Sequence, residues 1–317
     1  MTMEMTASHT NTQGRANLQI EHCTEVKGVN TVTSSTAVLM MSRPEYFEVV
    51  YSINPWMQPA DWQSRATELQ AKAQSGWEAM YETFVSLGIS VQLVPPAKGL
   101  PDMVFTANSA IVLNKKALLA NFRFKERRGE EAHYTQCFER LKTNGLVDEF
   151  SQFPAGVFQE GAGDCHWDAH RQLFWAGWGP RSSKEAIPCI EDYFGQTVVG
   201  LELASDEFYH VDVSLCPLSK GHLLYYPAAF KKDALAAIHE RVPEDQLIPI
   251  EQEDASTFCA NAVELDGKLF MAPCSPKLEG ELNDRGYKVI KLPVEAFALS
   301  GGSVYCMTLR LDRRSSK

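Results

Sequence analysis

The chain has 317 residues, 44% of them hydrophobic and 22% charged, and a formal net charge of -10. That is the balance of a globular protein with material for a sizeable core, and its acidity argues against nucleic acid or an anionic membrane as partner. No apolar run approaches the ~18 residues that span a bilayer, and the opening MTMEMTASHTNTQGRANLQIEHCTEV has neither the basic start nor the apolar stretch of a secretory signal. The cysteines, at 23, 137, 165, 189, 216, 259, 274 and 306, form no C-x-x-C pair, so reduced thiols in a cytoplasmic setting are expected rather than a disulfide scaffold.

Residues 1–34, rich in Thr, Asn and Ser, read as a flexible tail. STAVLMMSRP (35–44) predicts a short buried strand that Pro44 stops. Helical spacing runs over 57–88, from Pro59-Ala60-Asp61 to Gly88. A strand follows at 89–96, then two strands over 103–122 around Asn114-Lys115-Lys116, and a second amphipathic helix at 129–145. The theme recurs as short strands over 156–179, a helix at 183–195 and a strand at 197–203. A hairpin over 208–227 leads to a helix at 231–242. A hairpin over 261–273 turns at Asp266-Gly267, a helix follows at 276–286, and strands close the chain at 287–293 and 304–312. A unit of hairpin, helix and strand thus repeats about five times at roughly 50-residue spacing, and units too small to bury their own apolar faces stack or close into a ring. The units show little residue-level identity. With no Pro-, Gly- or Ser-rich linker between halves, 35–317 reads as a single α/β domain.

Three polar clusters interrupt the apolar strands: PDMVFTAN (101–108), QEGAGD (159–164) and FYHVDVSL (208–215). His210 and Asp212, two apart on a predicted strand, share a face. A lone histidine there is most often a satisfied core residue, but a carboxylate beside it is costly to bury without partners. Glu160 and Asp164 flank two glycines, which fits either a solvated turn or a close approach to a ligand or to His210. Ser300-Gly301-Gly302-Ser303 runs into Cys306, which is either an inert core cysteine or a thiol aimed into a cavity. CHWDAH (165–170) gathers Cys165, His166, Asp168 and His170, but its spacing fits no zinc pattern. RRGEE (127–131) reads as a solvated helix start, with acids in the first turn.

In this order, FTAN, EGAGD, FYHVD and GGSVYC resemble the guanidine-modifying enzymes of the pentein superfamily, which includes arginine deiminases, arginine dihydrolases, dimethylargininases and amidinotransferases. The resemblance covers the chain from about residue 36 and implies a five-bladed, pseudo-fivefold α/β propeller with a central active site. It makes Cys306 the nucleophile, His210 the general acid and base, and Glu160 the carboxylate that orients it. It implies Asp212 as a grip on the substrate guanidinium, Arg127 and Arg181 as holders of a substrate carboxylate, and Asp102 and Asn108 as further substrate-binding residues. Arginine deiminases carry FTRD where this chain has FTAN, the form similar to arginine dihydrolases. An amide at Asn108 offers a donor and an acceptor, so it suits a guanidinium and a ureido group in turn.

A guanidinium is planar, cationic and a poor electrophile, so carboxylates orient it and a thiolate attacks its carbon. The expected activity is a cysteine-dependent hydrolase acting on the guanidino group of arginine through a covalent thiouronium. It needs no cofactor and no metal, and its partner is a small-molecule substrate. Dimethylargininase and amidinotransferase are the alternatives within the enzyme class, and a catalytically silent guanidinium binder is the alternative outside it. A homodimer is compatible with the chain, and nothing in the sequence shows one.

Overall fold

The computed structural model describes residues 37–316, so the segment expected as a flexible tail, 1–34, lies outside the described residues. Strands β1 (Val38–Ser42), β2 (Ser90–Val94), β3 (Ala110–Leu113), β4 (Lys116–Leu119), β5 (Glu149–Gln152), β6 (Cys165–Asp168), β7 (Leu173–Trp178) and β8 (Thr197–Glu202) come first. β9 (Leu215–Pro217), β10 (Leu223–Tyr225), β11 (Leu247–Pro249), β12 (Val263–Leu265), β13 (Lys268–Met271), β14 (Lys288–Lys291) and β15 (Leu309–Arg310) follow. They form five three-stranded sheets, ordered β3-β4-β5, β6-β7-β8, β9-β10-β11, β12-β13-β14 and β15-β1-β2. In each, the middle strand pairs antiparallel on one side and parallel on the other. The parallel partner requires a crossover, which the chain supplies as a helix. The last strand completes the first sheet, so the two ends of the described chain lock one blade together.

Local chemistry accounts for the hairpins and helices. Asn114-Lys115 and Asp266-Gly267 all take positive φ, the two-residue turn whose twist matches flanking antiparallel strands. Ala66–Ser86 buries Leu69, Ala73, Trp77, Met80 and Phe84, one stripe at helical spacing. The predicted helix over 57–88 is two helices, because Arg65 at φ -130° breaks Pro59–Ser64 from Ala66–Ser86.

Three predicted strands shorten to tight turns. Residues 101–109 form two short 3-10 turns, and 211–213 form another between the extended His210 and β9. The predicted closing strand over 304–312 is a turn followed by the two residues of β15. Two strands went unpredicted, β5 and β11. Both are outer strands paired on one side only, and Glu149–Gln152 is largely exposed, so no apolar alternation marks it.

The turns before β3, β6, β9, β12 and β15 meet at the centre and hydrogen-bond around a closed ring. Asn108 Nδ2 donates to Glu160 O (3.4 Å), Val211 N to Asp164 Oδ1 (2.9 Å) and Asn261 Nδ2 to Asp212 O (3.2 Å). Tyr305 N donates to Asn261 O (3.1 Å), and Ala107 N to Cys306 O (3.0 Å). This ring is the axis of the expected fivefold propeller, with one polar turn from each blade.

Candidate active site

Cys306 lies in the turn before β15 and is 2% exposed. Gly301 has φ +87°, and a Cβ there would lie 2.7 Å from the Tyr209 hydroxyl oxygen; one on Gly302 would lie 2.5 Å from the Phe105 ring. The glycines therefore let this turn pack against two aromatic side chains. Asn261 fixes it: Oδ1 accepts from Cys306 N (3.0 Å) and Ser303 N (3.2 Å), while Nδ2 donates to Cys306 Sγ (3.1 Å). The thiol donates to Asp212 Oδ2 at 3.1 Å. Burial, reinforced by this carboxylate, pushes the Cys306 thiol well above its ordinary value, and burial raises Asp212 to about 7.

His210 immediately precedes the turn that carries Asp212, and its Nε2 lies 2.9 Å from Glu160 Oε2. Arg181 donates to the same oxygen at 2.7 Å and spreads its guanidinium over Phe124 and Tyr209. Burial acts to raise the Glu160 carboxyl, but Arg181 and His210 outweigh it and hold Glu160 well below the usual carboxylate range. Asp164 accepts from Ser182 Oγ (2.6 Å) and from Val211 N (2.9 Å), which fixes the backbone one residue beyond His210. With Nε2 on the carboxylate, Nδ1 is the nitrogen left free to exchange a proton. A Cβ on Gly163 would stand 3.2 Å from that Nδ1 and 2.2 Å from Asn108 Nδ2, so glycine keeps the space between them open.

A second buried cluster adjoins. Arg127 binds both oxygens of Glu130 at 2.8 Å, Asn108 Oδ1 at 2.8 Å and Asp102 O at 3.2 Å. RRGEE is therefore not the solvated helix start expected: Arg127 and Glu130 are buried because each neutralises the other. Asp102 accepts from Tyr51 Oη (2.8 Å) and Ser300 Oγ (3.2 Å).

Among the described residues, ten buried side-chain polar atoms lack a hydrogen-bond partner, and five belong to this one site: Glu160 Oε1, Arg181 Nε, His210 Nδ1, Asp212 Oδ1 and Ser303 Oγ. Unpaired buried polar atoms are costly, so their concentration marks a place built for a polar ligand. Two are carboxylate oxygens, the acceptors a guanidinium needs.

The family model for eukaryotic N,N-dimethylarginine dimethylhydrolases matches residues 43–313. The chain belongs to this dimethylarginine dimethylhydrolase family. The bifunctional arginine dihydrolase/ornithine cyclodeaminase ArgZ of Synechocystis is 38% identical over 273 residues, 86% of this chain and 37% of that protein. The dimethylarginine dimethylaminohydrolase of Mycobacterium tuberculosis is 34% identical over 280 residues, 88% of this chain and 87% of that protein. Solved structures of the ArgZ N-terminal domain, one bound to substrate and one covalently bound to a reaction intermediate, each match with TM-score 0.80 at 36% identity. They cover 88% of this chain and 99% and 98% of theirs. The chain thus has the pentein fold, and it spans about 37% of the length of the cyanobacterial bifunctional relatives.

In this family member all eight residues singled out in the sequence lie in the two adjoining clusters: Cys306, His210, Glu160, Asp212 and Arg181 in one, Arg127, Asn108 and Asp102 in the other. Asp212 reaches it from a 3-10 turn and His210 from the extended residue just before that turn, rather than both from one face of a strand. Asn261 was missed, although a signal existed. Phe258-Cys259-Ala260-Asn261 matches Phe105-Thr106-Ala107-Asn108 at three of four positions, and each asparagine stands two residues before a first strand. CHWDAH disperses: Asp168 serves Arg171, Trp175 and the His170 backbone, and among the described residues no group of His, Cys, Asp and Glu could hold a metal.

Proposed function

We propose that this chain is a cysteine-dependent hydrolase of the guanidino group of arginine, acting as an arginine dihydrolase. One observation carries the reading: on turns brought together at the axis, a thiol rests on one buried carboxylate and an imidazole on another, Cys306 on Asp212 and His210 on Glu160. Each carboxylate keeps an oxygen without a partner.

Arginine enters with its guanidinium toward Asp212 and Glu160. Its positive charge favours the Cys306 thiolate and the ionised Asp212, reversing the upward shifts of the empty site; the thiol proton passes to His210 Nδ1 and the Asp212 proton to water. The thiolate attacks the guanidinium carbon, and His210, protonated at Nδ1, gives its proton to the departing nitrogen. Ammonia leaves and a thiouronium remains on Cys306. His210 then takes a proton from water, which displaces the thiolate and yields citrulline. A second round on the ureido carbon releases the second ammonia; hydrolysis leaves a carbamate that loses carbon dioxide, giving ornithine. In that round the Asn108 amide donates from Nδ2, while Arg127 donates to its Oδ1.

Arg181 has its Nε free for the substrate carboxylate. Arg127, with four of five N–H groups engaged, acts chiefly by holding Asn108 and Asp102. Residues 35–317 form the catalytic domain. The seven described cysteines are all free thiols, and a thiol nucleophile suits the reducing cytoplasm.

The family model and the Mycobacterium relative favour a second reading, a dimethylargininase using the same residues. A product assay with arginine, citrulline and asymmetric dimethylarginine separates them. Ornithine and ammonia from arginine are expected. Citrulline as the end point makes the protein a deiminase, and dimethylamine from the methylated substrate makes it a dimethylargininase. No product from any substrate overturns the hydrolase reading in favour of an amidinotransferase lacking its acceptor or a silent binder.

A further inference from the structure

A cavity of about 530 Å³ adjoins the turns that carry Asn261 and Cys306. Its lining includes Ala262 and Tyr305, the chain neighbours of Asn261 and Cys306. Tyr305 stacks on His166, ring centroids 4.0 Å apart, and the imidazole Nε2 has no hydrogen-bond partner among the described residues. Burial holds His166 well below its ordinary value, so the floor is a neutral aromatic pair with polar capacity unspent.

The charges on the walls are more telling. Arg310 and Asp312 pair with each other at 2.6 Å. Arg313, half-buried, donates to Trp167 O at 2.6 Å but has no carboxylate partner among the described residues. Glu264, also half-buried, accepts among the described residues only from the backbone N–H groups of Ser219 and Gly267. Asp266, exposed at the hairpin turn, has no cationic partner among the described residues. Two guanidiniums, Arg313 and the exposed Arg314, which donates to Arg313 O at 2.9 Å, and two carboxylates thus line the same cavity with no ion pair between them among the described residues. Its volume is within the ordinary range for a small-molecule site.

We infer that this cavity binds a small zwitterionic amino acid, its carboxylate on Arg313 and its ammonium on Glu264 and Asp266. Both charges of the ligand are needed: an anion alone would face the two carboxylates, and a cation alone the guanidiniums of Arg313 and Arg314. The occupant would press on Tyr305 and Ala262, and through them on the two residues that hold the thiol.

The test is a thermal-shift and calorimetric survey of the full chain with each of the twenty standard L-amino acids. Wild type, Arg313→Gln and Glu264→Gln are compared, and any hit is repeated with its N-acetyl and carboxamide derivatives. At least one amino acid should raise the Tm of wild type, lose that effect in Arg313→Gln and bind at least roughly tenfold more weakly to Glu264→Gln. Both derivatives should fail to bind, and both variants should keep the wild-type kcat/KM. If Arg313→Gln does not fold, Glu264→Gln and the derivatives decide. The inference is overturned if no amino acid shifts the Tm, or if every shift survives undiminished in the folded variants, which would place all binding in the active site.

Discussion

Phe105-Thr106-Ala107-Asn108 and Phe258-Cys259-Ala260-Asn261 occupy equivalent turns on different blades, yet their asparagines do opposite things. Asn108 gives its Oδ1 to the Arg127 guanidinium at 2.8 Å and keeps only a long 3.4 Å bond from Nδ2. Asn261 gives its Oδ1 to two backbone N–H groups of the Cys306 turn and its Nδ2 to the thiol itself. The fold delivers a side chain to the axis, and its partners there, Arg127 of its own blade for Asn108 and the Cys306 turn of the next blade for Asn261, decide its role.

The strongest test of that division is Cys306→Ala, which should lower turnover by something on the order of 10⁶-fold, with the far-UV circular dichroism unchanged. Asp212→Asn should cost about 10² to 10³-fold in kcat, because the guanidinium loses an ionised acceptor. The same change should alter stability with a definite sign. Folded Asp212 keeps its proton up to about 7 whereas an unfolded aspartate sheds it near 3.8, so burial penalises the fold increasingly as pH rises through that window. The Tm of Asp212→Asn should therefore exceed that of wild type at pH 8 by more than at pH 4.

The asparagines themselves should separate by kinetics. Asn261→Ala should lose roughly 10²-fold in kcat and slow iodoacetamide alkylation of Cys306, since the thiol loses its anchor. Asn108→Ala should cost roughly tenfold in kcat/KM, with thiol alkylation unchanged. Gly302→Ala places a Cβ 2.5 Å from the Phe105 ring and should cost about 1–3 kcal/mol by chemical denaturation. Half-buried Cys189→Ser, away from the axis, should change stability by less than about 0.5 kcal/mol and leave activity intact.

The repeat and most of the site were legible because apolar hairpins and helices carry strong periodicity, and because ionisable residues stand out against apolar strands. His210, Asp212, Glu160 and Cys306 were visible for that reason. Asn261 was not, because a neutral amide in an apolar stretch raises no electrostatic flag; only its place in a repeat betrays it. The burial of Arg127 and Glu130 was equally hidden, since a charge pair three residues apart reads as a solvated helix face until tertiary packing covers it. Outer strands such as Glu149–Gln152 carry too little apolar pattern to be seen.

The most direct test of the central claim is intact-protein and peptide mass spectrometry on enzyme quenched during turnover of arginine. The expected result is an adduct of arginine less ammonia on the peptide containing Cys306, absent from Cys306→Ser and discharged when substrate is exhausted. Turnover that persists in Cys306→Ser, or an adduct on another residue, would contradict the account.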